Sequence, residues 1–326
     1  MRRAMLFYNS HSGQRRGNNR AAVEEVARVL RDAGVQVSIA ETLSAAEAGE
    51  QARDAAAQGC DTIFACGGDG TIQDLAQGLV GSDTALAVVP LGTANVLAHD
   101  FGVPRRPAAA ARAALRAIPL RVSVGRVDCQ DGEGNLASRY FLSVAGAGQD
   151  GYLFHQVAPG EKRTFGIVAY FWKALWVWLS HRMEWFTADV SASDAKQRLP
   201  VTQVLAVRLH DFGSLLRDLA PGASLLRDDL GVVLFKTSNR WSYLLYVIRG
   251  ILGASWPVPG IQVYSARRVR LTPGGVRPVY LEADGELLGQ LPAEITLVPD
   301  AITLLVPPEF AGRQPSSRRL GKISLL

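Results

Sequence analysis

The first third of the chain alternates short apolar runs with helical stripes. Ala4 to Tyr8 is a continuous apolar run closed by Asn9, the pattern of a buried strand. Ala21 to Ala33 then sets Ala22, Val23, Val26, Val29 and Leu30 at helical spacing and stops at Gly34. The alternation continues with a strand at Val35 to Ala40, a helix at Ala45 to Ala57 ended by Gly59, and a strand at Thr62 to Cys66. A helix at Thr71 to Val80, a strand at Leu86 to Val89 and a helix at Thr93 to Phe101 complete the series. Strands that alternate with helices predict a parallel sheet covered on both faces.

Beyond about residue 120 the period changes to that of strands. Extended runs fall at Arg121 to Val127, Tyr140 to Ala145, Val201 to Arg208, Val232 to Phe235, Val263 to Thr272, Val279 to Ala283, Glu294 to Val298 and Ala301 to Val306. The predicted fold is therefore an α/β N-terminal domain over residues 1–120 and a mostly antiparallel β-sandwich over 121–311, with a loose tail at 312–326. The Ala-rich Pro107 to Ala117 reads as a helix near the boundary, and Asp284-Gly285 between two runs is a two-residue hairpin signal. Phe165 to Leu179 carries Trp172, Trp176 and Trp178 and is apolar apart from Lys173. It is shorter than the roughly 20 residues of a membrane span, so it either lies in the core or faces lipid.

Composition narrows the functional classes. Of 326 residues, 48% are hydrophobic, enough for two domains without covalent staples. Three cysteines, Cys60, Cys66 and Cys129, do not make a disulfide framework and predict reduced thiols of a cytoplasmic protein. The five apolar residues after Met1-Arg2-Arg3 are too few for a signal-peptide core. The net charge of +5 comes entirely from beyond residue 120. No Lys/Arg run exceeds two residues and no aromatic-basic interleaving occurs, so no nucleic acid is expected; a membrane surface or a phosphate-rich ligand is the better partner for that charge.

Three loops carry candidate chemistry. Gly67-Gly68-Asp69-Gly70-Thr71 joins an apolar strand to a helix, where glycines let successive N–H groups approach an anion and the helix start adds partial positive charge. Asp69 would repel a phosphate unless a divalent cation stood between them, so it predicts magnesium bound with a nucleotide; the alternative is a glycine turn with an Asp helix cap. Leu91-Gly92-Thr93-Ala94-Asn95 repeats the strand–loop–helix arrangement, and Asn9 to Arg16, with Ser12 and Gly13, follows the first strand. All three fall at the C-terminal edge of a parallel sheet, where ligands bind in open α/β folds. Gly146-Ala147-Gly148-Gln149-Asp150-Gly151 fits a dinucleotide fingerprint by letters but follows a strand of the second domain, the wrong context. The five histidines have no zinc-ligand spacing, and no GxSxG elbow occurs.

These segments resemble, in order, the diacylglycerol kinase catalytic family: GGDGT at Gly67 to Thr71, PxGTxN at Pro90 to Asn95, GxGxD at Gly146 to Asp150 and DGE at Asp284-Gly285-Glu286. The resemblance implies an ATP- and Mg2+-dependent lipid kinase, with nucleotide and acceptor meeting between the two domains and a lipid alcohol, diacylglycerol by default, as substrate at a membrane surface. It places Asp69 at the magnesium-nucleotide and Gly92, Thr93 and Asn95 around the phosphates. Glu286 becomes the base for the acceptor hydroxyl, Asp284 joins the nucleotide-binding set, and Asp150 becomes a polar residue near the acceptor. Glu286 otherwise reads as a solvated residue after a turn.

Departures from the family accompany the matches. Val96 stands where many members have Asp, and Gln73-Asp74 where the family has Asn-Glu. The family's structural metal loop corresponds to Ser224 to Gly231, with Arg227 near the metal-binding Asp. Either Asp228 or Asp229 substitutes or Arg227 supplies the charge, and the expectation is no structural metal. Two other functions stay open: a kinase of a soluble acceptor such as NAD, and a catalytically weak nucleotide- or lipid-binding protein. A homodimer is compatible with the sequence, and no protein partner is evident.

Overall fold

A computed structural model describes residues 1–9, 19–156, 182–191, 196–213 and 217–313. Ser12, Gly13, the tryptophan-rich stretch 165–179 and the tail from 314 lie outside the described residues. The chain divides into two compact units. The first takes Met1–Val124, a short piece beginning at Asp211, and the chain from Val298; the second takes Gly125–His210 and the chain from residue 215 up to Leu297.

In the first unit β1 (Arg3–Tyr8), β2 (Gln36–Glu41), β3 (Thr62–Gly67) and β4 (Ala85–Pro90) form a parallel sheet in the order β4-β3-β1-β2. Helix α1 (Asn19–Asp32) buries Val23, Val26, Ala27 and Leu30 against Leu6, Phe64 and Ala87. Each of the valine, leucine and phenylalanine side chains contributes about 1.5–3 kcal/mol by leaving water. Helix α2 (Ala45–Ala57), capped by the Ser44 hydroxyl accepting from the Glu47 N–H, packs on α3 (Asp69–Leu79). Tyr8 pairs with Cys66 and Gly67 with Pro90, so these three strands end level and release Asn9, Gly68 and Leu91 at one sheet edge.

Helix α3 begins two residues before the expected Thr71, which puts Asp69 in its first turn with Gly68 extended ahead of it. Helix α4 (Val96–Phe101) begins three residues after the expected Thr93, because Asn95 adopts a left-handed conformation at φ 51, ψ 51. Helix α5 (Pro107–Leu115) closes the series and packs on α1.

The second unit is antiparallel and rich in strands. Its longest ladder runs β12 (Ile261–Ala266), β11 (Leu230–Phe235), β10 (Gln203–Val207), β7 (Val144–Gly148), β14 (Tyr280–Ala283) and β15 (Glu286–Val306). Strand β13 (Arg268–Pro273) joins β15 to β8 (Phe186–Ser191), which pairs β9 (Lys196–Val201); β5 (Ile118–Gln130) pairs β15 and β6 (Leu136–Phe141). Val127, Phe141, Phe186, Leu234, Val269 and Ile295 share one buried core. Helix α6 (Gln149–Gln156) covers β14 and β7.

Helix α7 (Arg240–Leu252) was not among the sequence expectations, although Asn239 capping the Trp241 N–H and left-handed Gly253 mark its ends. The expected strands Glu294 to Val298 and Ala301 to Val306 are one strand, β15, which passes through Asp300 at φ 45. From Val298 this strand belongs to the first unit, where Thr303 pairs in parallel with Ala85 and Ile302 and Leu304 are buried. The main boundary at Val124 lies close to the expected residue 120, and the last strand returns to complete the first sheet. A helix, α8 (Pro308–Ala311), ends the described chain.

Candidate active site

The first unit brings the two glycine loops together. A β-carbon on Gly92 would stand 2.4 Å from the Gly68 Cα and 2.9 Å from Asn95 Oδ1, so no other residue allows this approach without displacing backbone. The Asn95 side chain locks its own loop, accepting from the Gly92 N–H at 2.9 Å and donating to the Gly92 carbonyl at 2.7 Å. The Leu91 N–H donates to the Gly67 carbonyl at 2.9 Å.

Asp69 links the two loops. Its Oδ1 accepts from the Leu97 N–H at 3.4 Å. Burial pushes its carboxyl above the ordinary range, while the N–H groups of Leu97, Val96 and Asn95 pull the other way. The expected helix cap and the expected site residue are thus one side chain, but the helix it caps is α4 and not its own. Gly70 and Thr93 are exposed beside it, Thr71 is buried, and a β-carbon on Gly70 would meet nothing within 4 Å. Asn9 emerges at the same edge, its carbonyl held by the Asn19 side chain at 3.0 Å.

Open backbone at adjoining helix starts, with one partly solvated carboxylate between them, fits a polyphosphate and a cation. Among the described residues no group of three or more His, Cys, Asp and Glu is placed to hold a metal ion by itself. A magnesium ion at Asp69 would accordingly draw its other ligands from phosphate and water, its usual habit.

The second unit holds the remaining acids. Asp284 at φ 51 and Gly285 at φ 85 form the expected tight turn between β14 and β15. The Asp284 carboxylate accepts from the N–H groups of Leu142, Ser143 and Val144 at 2.8, 2.9 and 3.0 Å. Burial raises its pKa to about 6 despite those bonds and the nearby Arg139. This geometry makes Asp284 a clamp on the β6–β7 connection. Glu286, at the start of β15, is 43% exposed and pairs with Arg139 at 3.2 Å.

Asp150 turns inward to meet Glu282, a residue that sequence reasoning passed over. Both carboxyl groups converge on Gly146, whose β-carbon would lie 2.5 Å from Asp150 Oδ2 and 3.0 Å from Glu282 Oε1. Glu282 is 1% exposed and its other oxygen accepts from the Gly285 N–H at 2.8 Å. Burial raises both carboxyls, Glu282 well above its usual value with the Asp150 charge as the next cause. Burial and mutual repulsion both favour the protonated form at this pair.

The loop that corresponds to the family's structural metal loop is organised around the cationic side chain of Arg208. Arg208 is fully buried and its guanidinium donates to the carbonyls of Leu225, Arg227 and Asp229. Burial lowers its pKa to about 10, a range in which it stays charged at neutral pH. Arg227, one of the alternatives for supplying the charge, forms an ion pair with Asp229 at the rim. Asp229 also accepts from the Ser265 hydroxyl at 2.5 Å.

Residues 3–127 match the diacylglycerol kinase catalytic domain and residues 143–306 the YegS C-terminal NAD kinase beta sandwich-like domain. The diacylglycerol kinase of Bacillus subtilis (strain 168) is 28% identical over 314 residues, 95% of this chain and 98% of its own. A diacylglycerol kinase of Mycobacterium tuberculosis (strain CDC 1551 / Oshkosh) is 28% identical over 269 residues, 78% of this chain and 79% of its own. A diacylglycerol kinase crystal structure from Bacillus anthracis str. Sterne shares the fold at a TM-score of 0.68 and 18% identity, covering 95% and 98% of the two chains. The paired glycine loops and the β-rich second unit are those of an ATP-dependent phosphotransferase with an alcohol acceptor. The chain belongs to the diacylglycerol kinase catalytic family, a family of lipid kinases.

Proposed function

We propose that this chain phosphorylates diacylglycerol to phosphatidic acid, using magnesium-ATP, at a membrane surface. The carrying observation is the contact of Gly68 with Gly92, tied by Asp69, at the edge where β1, β3 and β4 end together. The backbone N–H groups of these loops hold the phosphates, and Asp69 presents a carboxylate to the cation. The cation, when bound, neutralises charge that builds on the transferring group.

Unlike Glu282 and Asp284, whose carboxyl groups are enclosed, Glu286 has a side chain that is 43% exposed, which supports its assignment as the base. In the reaction the acceptor oxygen bonds to the γ-phosphorus, the bond to the bridging oxygen breaks, ADP departs and the hydroxyl proton passes to Glu286. Arg139 orients Glu286 through their ion pair. Among the described residues no helix is long and apolar enough to cross a membrane.

The test is ATP-dependent phosphate transfer to a panel of lipid alcohols and to NAD, in mixed micelles with magnesium. Labelled phosphatidic acid is the expected product, and Glu286→Gln should lower its rate about 10²- to 10⁴-fold. Transfer to NAD alone would replace this reading with that of a soluble-acceptor kinase. Nucleotide binding without any labelled product would leave a binding protein.

A further inference from the structure

The inner face of α7 holds the helix with polar groups. Tyr246 donates to the Leu219 carbonyl at 2.8 Å, Arg249 donates to the same carbonyl at 3.0 Å, and the Tyr243 hydroxyl meets the Thr202 hydroxyl at 2.8 Å. The Tyr243 and Tyr246 rings pack on Phe235 with centroids 4.6 and 4.9 Å away. These contacts fix the rotation of the helix about its axis.

The opposite face is apolar and turned outward. Trp241 and Leu252 are 67% and 65% exposed, and Leu245, Ile248, Ile251 and Trp256 are exposed with them. Positions 241, 245, 248 and 252 form one stripe at helical spacing. The single charged side chain within the stretch 241–257, Arg249, is buried. A surface helix in water shows the reverse distribution, with its apolar stripe inward and its charges outside.

Along the chain, residues 231–281 carry charge of one sign, and Asp218, whose charge is felt at Tyr246 on the inner face, is buried. From Gly231 to Leu281 the chain contains no Asp or Glu, and it carries Lys236, Arg240, Arg249, Arg267, Arg268, Arg270 and Arg277. Arg268 and Arg270 pair with Glu294 and Arg277 with Glu184, all away from the helix in sequence. Lys236 and Arg240 stand at the start of α7, and exposed Arg217 lies beside Gly253 at its end.

We propose that the outer face of α7 is a docking surface for an anionic lipid bilayer, with the apolar stripe entering the headgroup–acyl boundary. Tryptophan near each end of the stripe suits the interfacial zone, and basic groups flanking an apolar centre match anionic headgroups. A second copy of the chain would meet the same positive charge on its partner, which disfavours a symmetric pairing of this face. The proposal deepens the lipid-acceptor reading above and rests on it: an enzyme whose substrate stays in the bilayer must hold itself there.

The experiment uses the full chain with vesicles of phosphatidylcholine, alone or with about 30% phosphatidylglycerol, read by flotation. The variant combines Leu245→Ser, Ile251→Ser and Leu252→Ser, three exposed positions outside the proposed chemistry. The wild type should float with the anionic vesicles, and the variant should lose binding by about tenfold or more. The variant should keep wild-type activity on monomerically dispersed short-chain diacylglycerol. Equal flotation of variant and wild type would overturn the proposal, and equal binding to phosphatidylcholine alone would overturn its anionic part. No flotation with a wild-type dimer that the variant breaks would assign the face to a second copy. No flotation and no dimer would likewise overturn the proposal. Flotation without phosphorylation of any lipid alcohol would refute the acceptor reading while leaving the docking surface standing.

Discussion

Asp69 and Asp284 are each followed by glycine, one in the first turn of a helix and the other in a hairpin turn, and the two units use them differently. Asp284 spends both carboxylate oxygens on three backbone N–H groups at 2.8–3.0 Å and is enclosed. Asp69 accepts from the Leu97 N–H over a longer 3.4 Å, with the Val96 and Asn95 N–H groups also turned toward it, and sits beside exposed Gly70 and Thr93. A carboxylate offers about four lone-pair sites, so what remains after the backbone has taken its share decides whether a cation can be held. Asp69 keeps oxygen sites free for the cation role proposed above, whereas Asp284 holds backbone with both of its oxygens.

The largest effect expected is on turnover. Asp69→Ala should lower phosphate transfer by about 10²- to 10³-fold, the scale for losing one preorganised electrostatic contact. Asp69→Asn sharpens the point, because an amide oxygen can still accept from Leu97 but carries no charge. Its melting temperature should recover while its rate does not, and recovery of both would break the contrast with Asp284.

Next comes stability in the second unit. Asp284→Ala strands three N–H groups and should cost about 3 kcal/mol in denaturant unfolding, at about 1 kcal/mol or more for each group. Asp284→Asn should restore only part of this, since one oxygen cannot replace two. A nucleotide-affinity loss with unchanged stability would return Asp284 to the binding set.

The smallest effect is a pH slope. Glu282 is raised well above its ordinary value and Asp284 to about 6, so the folded chain keeps protons that the unfolded chain has released. Their contribution is fully present below the ordinary carboxyl range and is lost as pH rises through the raised values. Glu282→Gln should therefore be more stable relative to wild type at pH 8 than at pH 5, measured by melting temperature. A constant difference across that range would show that the Asp150–Glu282 pair shares no proton.

Much of the nucleotide site was legible because its chemistry is local. Strand, glycine loop and helix follow one another along the chain, and parallel pairing then brings the C-terminal ends of β1, β3 and β4 level. Glu282 was not legible for an equally physical reason. In the run Tyr280-Leu281-Glu282-Ala283 a strand period of two sends Leu281 to one face and Glu282 to the other, which reads as polar outward. Helix α6 covers that second face, so Glu282 meets Asp150 instead of water.

The same division runs through the molecule. Sequence alone determined the elements whose signals lie within a few residues: the alternating α/β pattern, the glycine loops and the Asp284-Gly285 turn. Only the tertiary structure decided the return of β15 to the first sheet, the seating of Arg208 among the carbonyls of 225–229, and the outward direction of the apolar face of α7. Each of these depends on partners distant in the chain. An apolar stripe states that a helix has two faces, and only the residues packed against one of them determine which face is left outside.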